Sequence, residues 1–166
     1  MHPFESHIRD VHDFPKTGVV FKDITPLLRD RFGEVILAMS QGIDWKKIDY
    51  VVGIESRGFI LGSAMAQLHG KGFLPMRKKG KLPPPVISET YQLEYGTDTL
   101  EMIHSSTPGK IILVDDVLAT GGTLRAAMKL CQRNNLDLIH MSLLINLTFL
   151  NKFKEEGLPV ISVLNY

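Results

Sequence analysis

The chain has 166 residues, 44% of them hydrophobic, and a formal net charge of +1. That suits one globular domain with its own core, and it excludes a disordered chain and a protein held on nucleic acid by bulk charge. The single cysteine, Cys131, excludes an internal disulfide and a cysteine-pair metal site, so a cytoplasmic setting is expected.

The N-terminus carries His2, Glu5, Arg9, Asp10 and Asp13 and does not read as a secretory signal. Apolar runs such as 111–114 are far too short to span a bilayer, so no membrane partner is expected. His2, His7 and His12 recur every five residues, a spacing that does not stack them on one helix face for a metal.

In chain order, residues 4–11 read as a short helix with Phe4, Ile8 and Val11 on one face, ended by Asp13-Phe14-Pro15. Residues 19–21 are extended, 23–26 turn-like, and 31–41 a second helix that buries Phe32, Val35, Ile36 and Met39. Trp45 is expected to pack near that helix. Strands and helices then alternate: strand 50–54, helix 59–69, strand 72–76, strand 110–114, helix 122–134, strand 138–145, a short helix 149–155 and strand 159–164. Cys131, on the helix 122–134, reads as a small core residue.

Unbroken apolar strands between helices predict a mostly parallel sheet covered on both faces. The expected fold is α/β and doubly wound, with flanking helices. Residues 77–101 break the pattern. They show no helical period, they contain Pro83-Pro84-Pro85, and their alternating runs at 86–91 and 97–103 predict a flexible two-stranded antiparallel flap.

The polar residues fall at the strand ends. Strand 50–54 is followed by Glu55-Ser56-Arg57-Gly58 and strand 72–76 by Arg77-Lys78-Lys79-Gly80-Lys81. Strand 110–114 is followed by Asp115-Asp116 and then Ala119-Thr120-Gly121-Gly122-Thr123, and strand 138–145 by Asn146-Leu147-Thr148. Open parallel sheets bind ligands outside the carboxyl ends of their strands, so these motifs are expected to share one site.

Thr120 to Thr123 opens a helix with two glycines and two hydroxyls, which makes an anion cradle sized for a phosphate. An ordinary threonine-capped helix is the competing reading. Two adjacent carboxylates at a buried strand end cost stability unless they bind something, and vicinal sugar hydroxyls suit them. The cations Arg57, Arg77, Lys78, Lys79 and Lys81 match a second, more highly charged anion such as a diphosphate. Neither GxxxxGK[ST] nor GxGxxG is present, so neither a P-loop nor a dinucleotide fingerprint is indicated.

Residues 111–123, from Ile111 through Asp115-Asp116 to Thr123, resemble the phosphoribosyl pyrophosphate (PRPP) motif of type I phosphoribosyltransferases. Phe14-Pro15 with residues 18–28, Gly53-Ile54-Glu55-Ser56-Arg57-Gly58-Phe59, residues 77–83 and residues 91–96 resemble segments of the adenine phosphoribosyltransferase family in the same order. The resemblance runs from about Phe14 to the C-terminus. It implies a single phosphoribosyltransferase domain over 1–166, with an N-terminal base-recognition segment at 1–30 and the flap at 77–101.

The implied reaction transfers the 5-phosphoribosyl group from PRPP to adenine, giving AMP and pyrophosphate. The resemblance assigns Ala119, Thr120, Gly121, Gly122 and Thr123 to the 5′-phosphate and Asp115 and Asp116 to the ribose hydroxyls. Glu55, Ser56, Arg57, Arg77 and Lys81 go to pyrophosphate, with a Glu55–Ser56 bond often cis in the superfamily. Val20, Phe21, Lys22 and Leu147 go to adenine. Glu94 and Tyr95 belong to the closing flap; Glu94 is the candidate proton acceptor or electrostatic partner of the attacking base, and Arg57 shares the catalytic assignment.

Magnesium (Mg2+) is the implied cofactor, held through the substrate with no direct protein ligand. A homodimer is implied, with Arg77 reaching across the interface. The chain departs from the family pattern at Pro84, where glycine is usual, and at Asn146, where glutamate is common. Within the class, a 6-oxopurine acceptor is the alternative. Outside it, the alternative is a PRPP-sensing regulator without catalysis.

Overall fold

The structure is a computed structural model and describes residues 2–93, 96–105 and 107–166, with the side chain of Leu93 left out. Two compact units are present, Met1–Ala38 and Met39–Tyr166.

In the first unit, a 3-10 turn at Glu5–His7 leads into β1 (Arg9–His12), which pairs antiparallel with β2 (Val20–Asp23). The helix expected at 4–11 is therefore absent. So short a stretch cannot offset helix nucleation, while β1 gains cross-strand ion pairs: Arg9 to Asp23 at 2.9 Å and Lys22 to Asp10 at 2.8 Å. The connection carries a cis Phe14–Pro15 bond and an Asp13 carboxylate that accepts the Gly18 N–H at 2.7 Å.

The turn expected at 23–26 is instead a helix start. Asp23 accepts the Thr25 N–H at 2.9 Å, Pro26 occupies the first turn where its missing N–H is harmless, and α1 runs over Thr25–Met39. A kink at Arg31 (φ −136°, ψ 24°) divides it, and the expected helix 31–41 corresponds to its second half.

The second unit is built on a seven-stranded sheet in the order β5-β6-β4-β3-β7-β8-β9. β3 is Tyr50–Ile54, β4 Gly72–Lys78, β5 Val86–Leu93, β6 Gly96–Ile103, β7 Gly109–Leu118, β8 Leu136–Asn146 and β9 Val160–Asn165. β4, β3, β7, β8 and β9 are mutually parallel, whereas β5 and β6 join antiparallel beyond β4. β3 crosses to β4 through α2 (Arg57–His69), and β7 crosses to β8 through α3 (Gly122–Arg133). The crossovers lead outward in opposite directions, so the strand order reverses between β3 and β7. Right-handed crossovers then place the helices on opposite faces, which is the doubly wound arrangement expected.

Val52, Ile54, Ile111, Leu113, Met141 and Leu143 form the buried core with Ala126, Ala127, Leu130 and Cys131 of α3. Burial pushes the Cys131 thiol up to about 12, so it serves as an inert core residue. Trp45 stacks on His69 at 3.7 Å and donates to the Ser40 carbonyl at the end of the preceding helical segment.

Two further expectations are corrected. β7 continues through Asp115 and Asp116 to Leu118, because the longer β8 supplies ladder partners as far as Leu118↔Asn146. Residues 149–155 form no helix. The Asn151 side chain takes the Leu147 carbonyl at 2.8 Å and the Phe153 N–H at 3.0 Å, a local bonding pattern that competes with helix.

Candidate active site

The reversal point lies between β3 and β7, and the residues that follow or end these strands meet there. Glu55 follows β3, and its N–H donates to the Met76 carbonyl of β4 at 2.9 Å. Its carboxylate takes the Arg77 guanidinium in a two-pronged pair (Nη2–Oε1 3.0 Å, Nε–Oε2 3.2 Å) and the Lys78 N–H at 2.9 Å. Arg77 bonding, opposed by burial and helped by the Lys78 N–H, holds the Glu55 carboxyl below its ordinary range. Glu55, which the resemblance assigns to pyrophosphate, anchors Arg77. The Glu55–Ser56 bond is cis, as the resemblance implied, and Ser56 precedes α2 without a side-chain cap.

Gly58 lets α2 approach β7. A Cβ at that position would lie 2.9 Å from the Val114 carbonyl oxygen and 3.0 Å from Asp115 Oδ1. The same approach puts Arg57 Nη2 2.5 Å from Asp116 Oδ2. Asp115 and Asp116 are both buried, and Asp115 Oδ1 accepts the Asp116 N–H at 2.9 Å. Burial, reinforced by the Asp116 charge, pushes the Asp115 carboxyl well above the ordinary carboxylate range. Asp116 Oδ2 has an ion pair but no partner in hydrogen-bond alignment.

Beyond Leu118 the chain turns into α3. Gly121, at φ +88°, is the residue before the helix, and no side chain caps it. The competing reading, a threonine-capped helix, is therefore not what forms. Thr120 is exposed, Ala119 and Thr123 are half-buried, and Gly122 has the Gln92 carbonyl oxygen 2.8 Å from where its Cβ would stand. The loop thus combines a side-chain-uncapped helix start, a glycine in the left-handed region and two threonines, a composition suited to a phosphate.

The basic run divides. Arg77 is tied to Glu55 and donates to the Lys81 carbonyl at 3.2 Å, and Lys81 is exposed. Lys78, expected with the anion-binding cations, is committed elsewhere: it pairs with Asp98 and reaches the Tyr91 hydroxyl at 3.1 Å. Burial would lower its pKa, but Asp98 and Tyr91 outweigh burial and raise it. This cluster fastens β4 to both strands of the antiparallel hairpin. It was missed because Tyr91 and Asp98 become neighbours only through the β5–β6 register.

The hairpin strands themselves, β5 and β6, sit close to the runs expected at 86–91 and 97–103. Glu94 and Tyr95 lie outside the described residues. Leu147 follows β8 directly and is buried, with its N–H on the Leu118 carbonyl at 2.9 Å. In the first unit Val20, Phe21 and Lys22 lie on β2, where the Phe21 ring meets Phe14 edge-on at 5.2 Å. Among the described residues no cluster of His, Cys, Asp and Glu is arranged to hold a metal, and no helix is long and apolar enough to cross a membrane.

Known proteins resemble this chain throughout. The phosphoribosyl transferase domain family matches residues 23–156. An adenine phosphoribosyltransferase of Hydrogenovibrio crunogenus is 47% identical, covering 99% of this chain and 97% of that protein. The crystal structure of an adenine phosphoribosyltransferase from Rhodothermus marinus superposes with a TM-score of 0.89 at 42% identity, covering 98% of this chain and 96% of that one. The Saccharomyces cerevisiae enzyme, complexed with adenine and an imino-altritol bisphosphate, gives 0.86 at 34% identity, with 96% of each chain covered. With the doubly wound sheet, the acidic pair and the glycine turn before α3 in place, the chain belongs to the adenine phosphoribosyltransferase family.

Proposed function

We propose that the chain transfers the 5-phosphoribosyl group of PRPP to adenine, releasing pyrophosphate and forming AMP in purine salvage. The carrying observation is the convergence of Arg57, Arg77, the Asp115–Asp116 pair and the uncapped start of α3 at one sheet edge. The loop of Ala119, Thr120, Gly121, Gly122 and Thr123 takes the 5′-phosphate, and Asp115 and Asp116 take the ribose hydroxyls. Ser56, Arg57, Arg77 and Lys81 face the diphosphate, with Glu55 orienting Arg77. Main-chain groups of Val20 and Lys22, beside Phe21, read the base.

The reaction displaces pyrophosphate at the anomeric carbon, and positive charge develops on the sugar ring, as in glycoside hydrolysis. No covalent nucleophile is needed. The protein aligns two substrates, neutralises the leaving diphosphate and excludes water. Glu94 is assigned the proton of the incoming base.

The donor set fits magnesium. Asp115 and Asp116 are buried hard-oxygen acceptors suited to the sugar hydroxyls that would carry the ion, and Arg57 sits on Asp116 Oδ2 at 2.5 Å. The pair would hold the ion through the sugar hydroxyls, and the ion would supply charge neutralisation to the diphosphate. We further assign a homodimer, supported by the exposed Ile60 and Leu68 of α2, and a cytoplasmic setting, supported by the single buried thiol.

The test is incubation with adenine, PRPP and magnesium, with detection of AMP and pyrophosphate, beside hypoxanthine, guanine and xanthine as competitors. AMP from adenine is expected. Turnover of a 6-oxopurine instead would overturn the base assignment, and tight PRPP binding without AMP would make the chain a sensor.

A further inference from the structure

The loop 119–123 joins two elements, and both of its ends are tied to one distant segment, residues 146–153. At the strand end, the Leu147 N–H donates to the Leu118 carbonyl at 2.9 Å. At the helix end, the Phe153 ring lies on Gly121: a Cβ there would stand 2.6 Å from Phe153 Cδ2. The ring thus fills the place a side chain at 121 would take, against a glycine at φ +88°. It also lies under the first turn of α3. The Arg125 guanidinium sits 4.7 Å from the ring centroid, and the Arg125 N–H makes the first helical bond, to the Gly121 carbonyl at 3.0 Å.

Asn151 sets where that ring goes. Its Oδ1 accepts the Phe153 N–H at 3.0 Å, while its Nδ2 donates to the Leu147 carbonyl at 2.8 Å and to Asn146 Oδ1 at 3.1 Å. A continuous chain of contacts therefore runs from the end of β8 through Asn151 and Phe153 to Gly121. Phe153 is 9% exposed.

We propose that Asn151 and Phe153 form a strut that positions the phosphate loop for the 5′-phosphate of PRPP. The proposal rests on the reading of residues 119–123 as that loop. Neither residue touches substrate; both are positioning residues. With the ring removed, Gly121 gains freedom, and the N–H groups that follow it lose their common aim.

The test is steady-state kinetics of Phe153→Ala, Phe153→Leu and Asn151→Ala, with melting temperatures measured beside them. For Phe153→Ala we expect the PRPP KM to rise about ten- to a hundredfold, as for a misplacement of about an ångström. Adenine KM and kcat at saturating PRPP should stay within about twofold, the mark of lost uniform binding to one substrate. Phe153→Leu should recover most of the loss. Asn151→Ala, which leaves the ring in the chain, should show the same signature more weakly even if Phe153→Ala does not fold.

Melting temperatures that fall while the PRPP KM of every folded variant stays at the parent value would overturn the strut. So would PRPP and adenine KM rising together. Thr123→Val separates the two layers of argument. If it leaves the PRPP KM unchanged, the phosphate-loop reading fails and the strut with it; if it raises the KM while the Phe153 and Asn151 variants do not, only the strut fails.

Discussion

Asp115, proposed to hold the ribose hydroxyls, weakens the fold that carries it. Burial and the neighbouring Asp116 charge both oppose its ionisation, so the folded chain holds this proton more tightly than the unfolded one. Between the ordinary carboxylate value of 3.8 and the raised one, the native state binds more protons, and stability falls as pH rises through that window. Asp115→Asn removes the penalty. Its Tm should exceed the parent's at about pH 7.5, with the advantage shrinking toward about pH 3, below the ordinary value of 3.8, where the parent carboxyl is largely neutral in both states. The same variant should lose PRPP use by about 1.5–3 kcal/mol, the worth of one charged hydrogen bond to a sugar hydroxyl. Calorimetry at both pH values and kcat/KM check the two halves, and unchanged kinetics would remove Asp115 from the site. Glu55 has the opposite sign: its lowered pKa makes its contribution present at neutral pH and lost as pH falls through the lowered value.

At the scale of elements, the antiparallel hairpin is firmly rooted. Its strands pair with each other from Val86↔Ile103 outward and join β4 at Arg77↔Glu101. Glu89 pairs with Lys129 of α3 at 2.8 Å, Arg133 donates to the Ser88 carbonyl at 2.8 Å, and Lys78 binds Asp98 and Tyr91. In the proposed reading this hairpin closes over the substrates, and Glu94 takes the base's proton. Glu94→Gln should lower kcat about 10²–10⁴-fold while leaving PRPP affinity nearly intact. A loss under about tenfold would reduce Glu94 to positioning the lid. Binding and turnover of Glu94→Gln beside Glu94→Ala decide it. The hairpin strands were legible because the short alternating runs at 86–91 and 97–103 have no helical competitor. The helix expected at 149–155 was not real: its spacing fits a helix, but one asparagine bonding locally on both sides of itself was enough to divert the chain.

At the scale of the whole molecule, the assigned homodimer makes a test of shared sites. Arg77 is bound by Glu55 within its own chain, so Glu55 holds the guanidinium in one orientation for whichever diphosphate it meets. If that diphosphate belongs to the neighbouring subunit, mixing Arg77→Ala subunits with subunits disrupted at Thr123 should restore part of the activity that each lacks alone. Activity of the mixture no higher than the sum of its components would place Arg77 in its own subunit's site. A monomer by light scattering at assay concentration would refute the dimer itself.

The alternation of strands and helices after Asp49, the α/β class, and the glycine loop beside the acidic pair were legible in local sequence. Those features are written in short-range signals: apolar runs of strand length, glycines at a helix entry, carboxylates after a hydrophobic lead. Which charges meet was settled by the fold. Arg57 with Asp116, Arg77 with Glu55 and Lys78 with Asp98 are pairings across elements, and they follow from strand order and register that local patterns do not encode. The same holds for the ring of Phe153 on Gly121. Residues 32 positions apart come into contact because α3 and β8 return the chain to the edge it left.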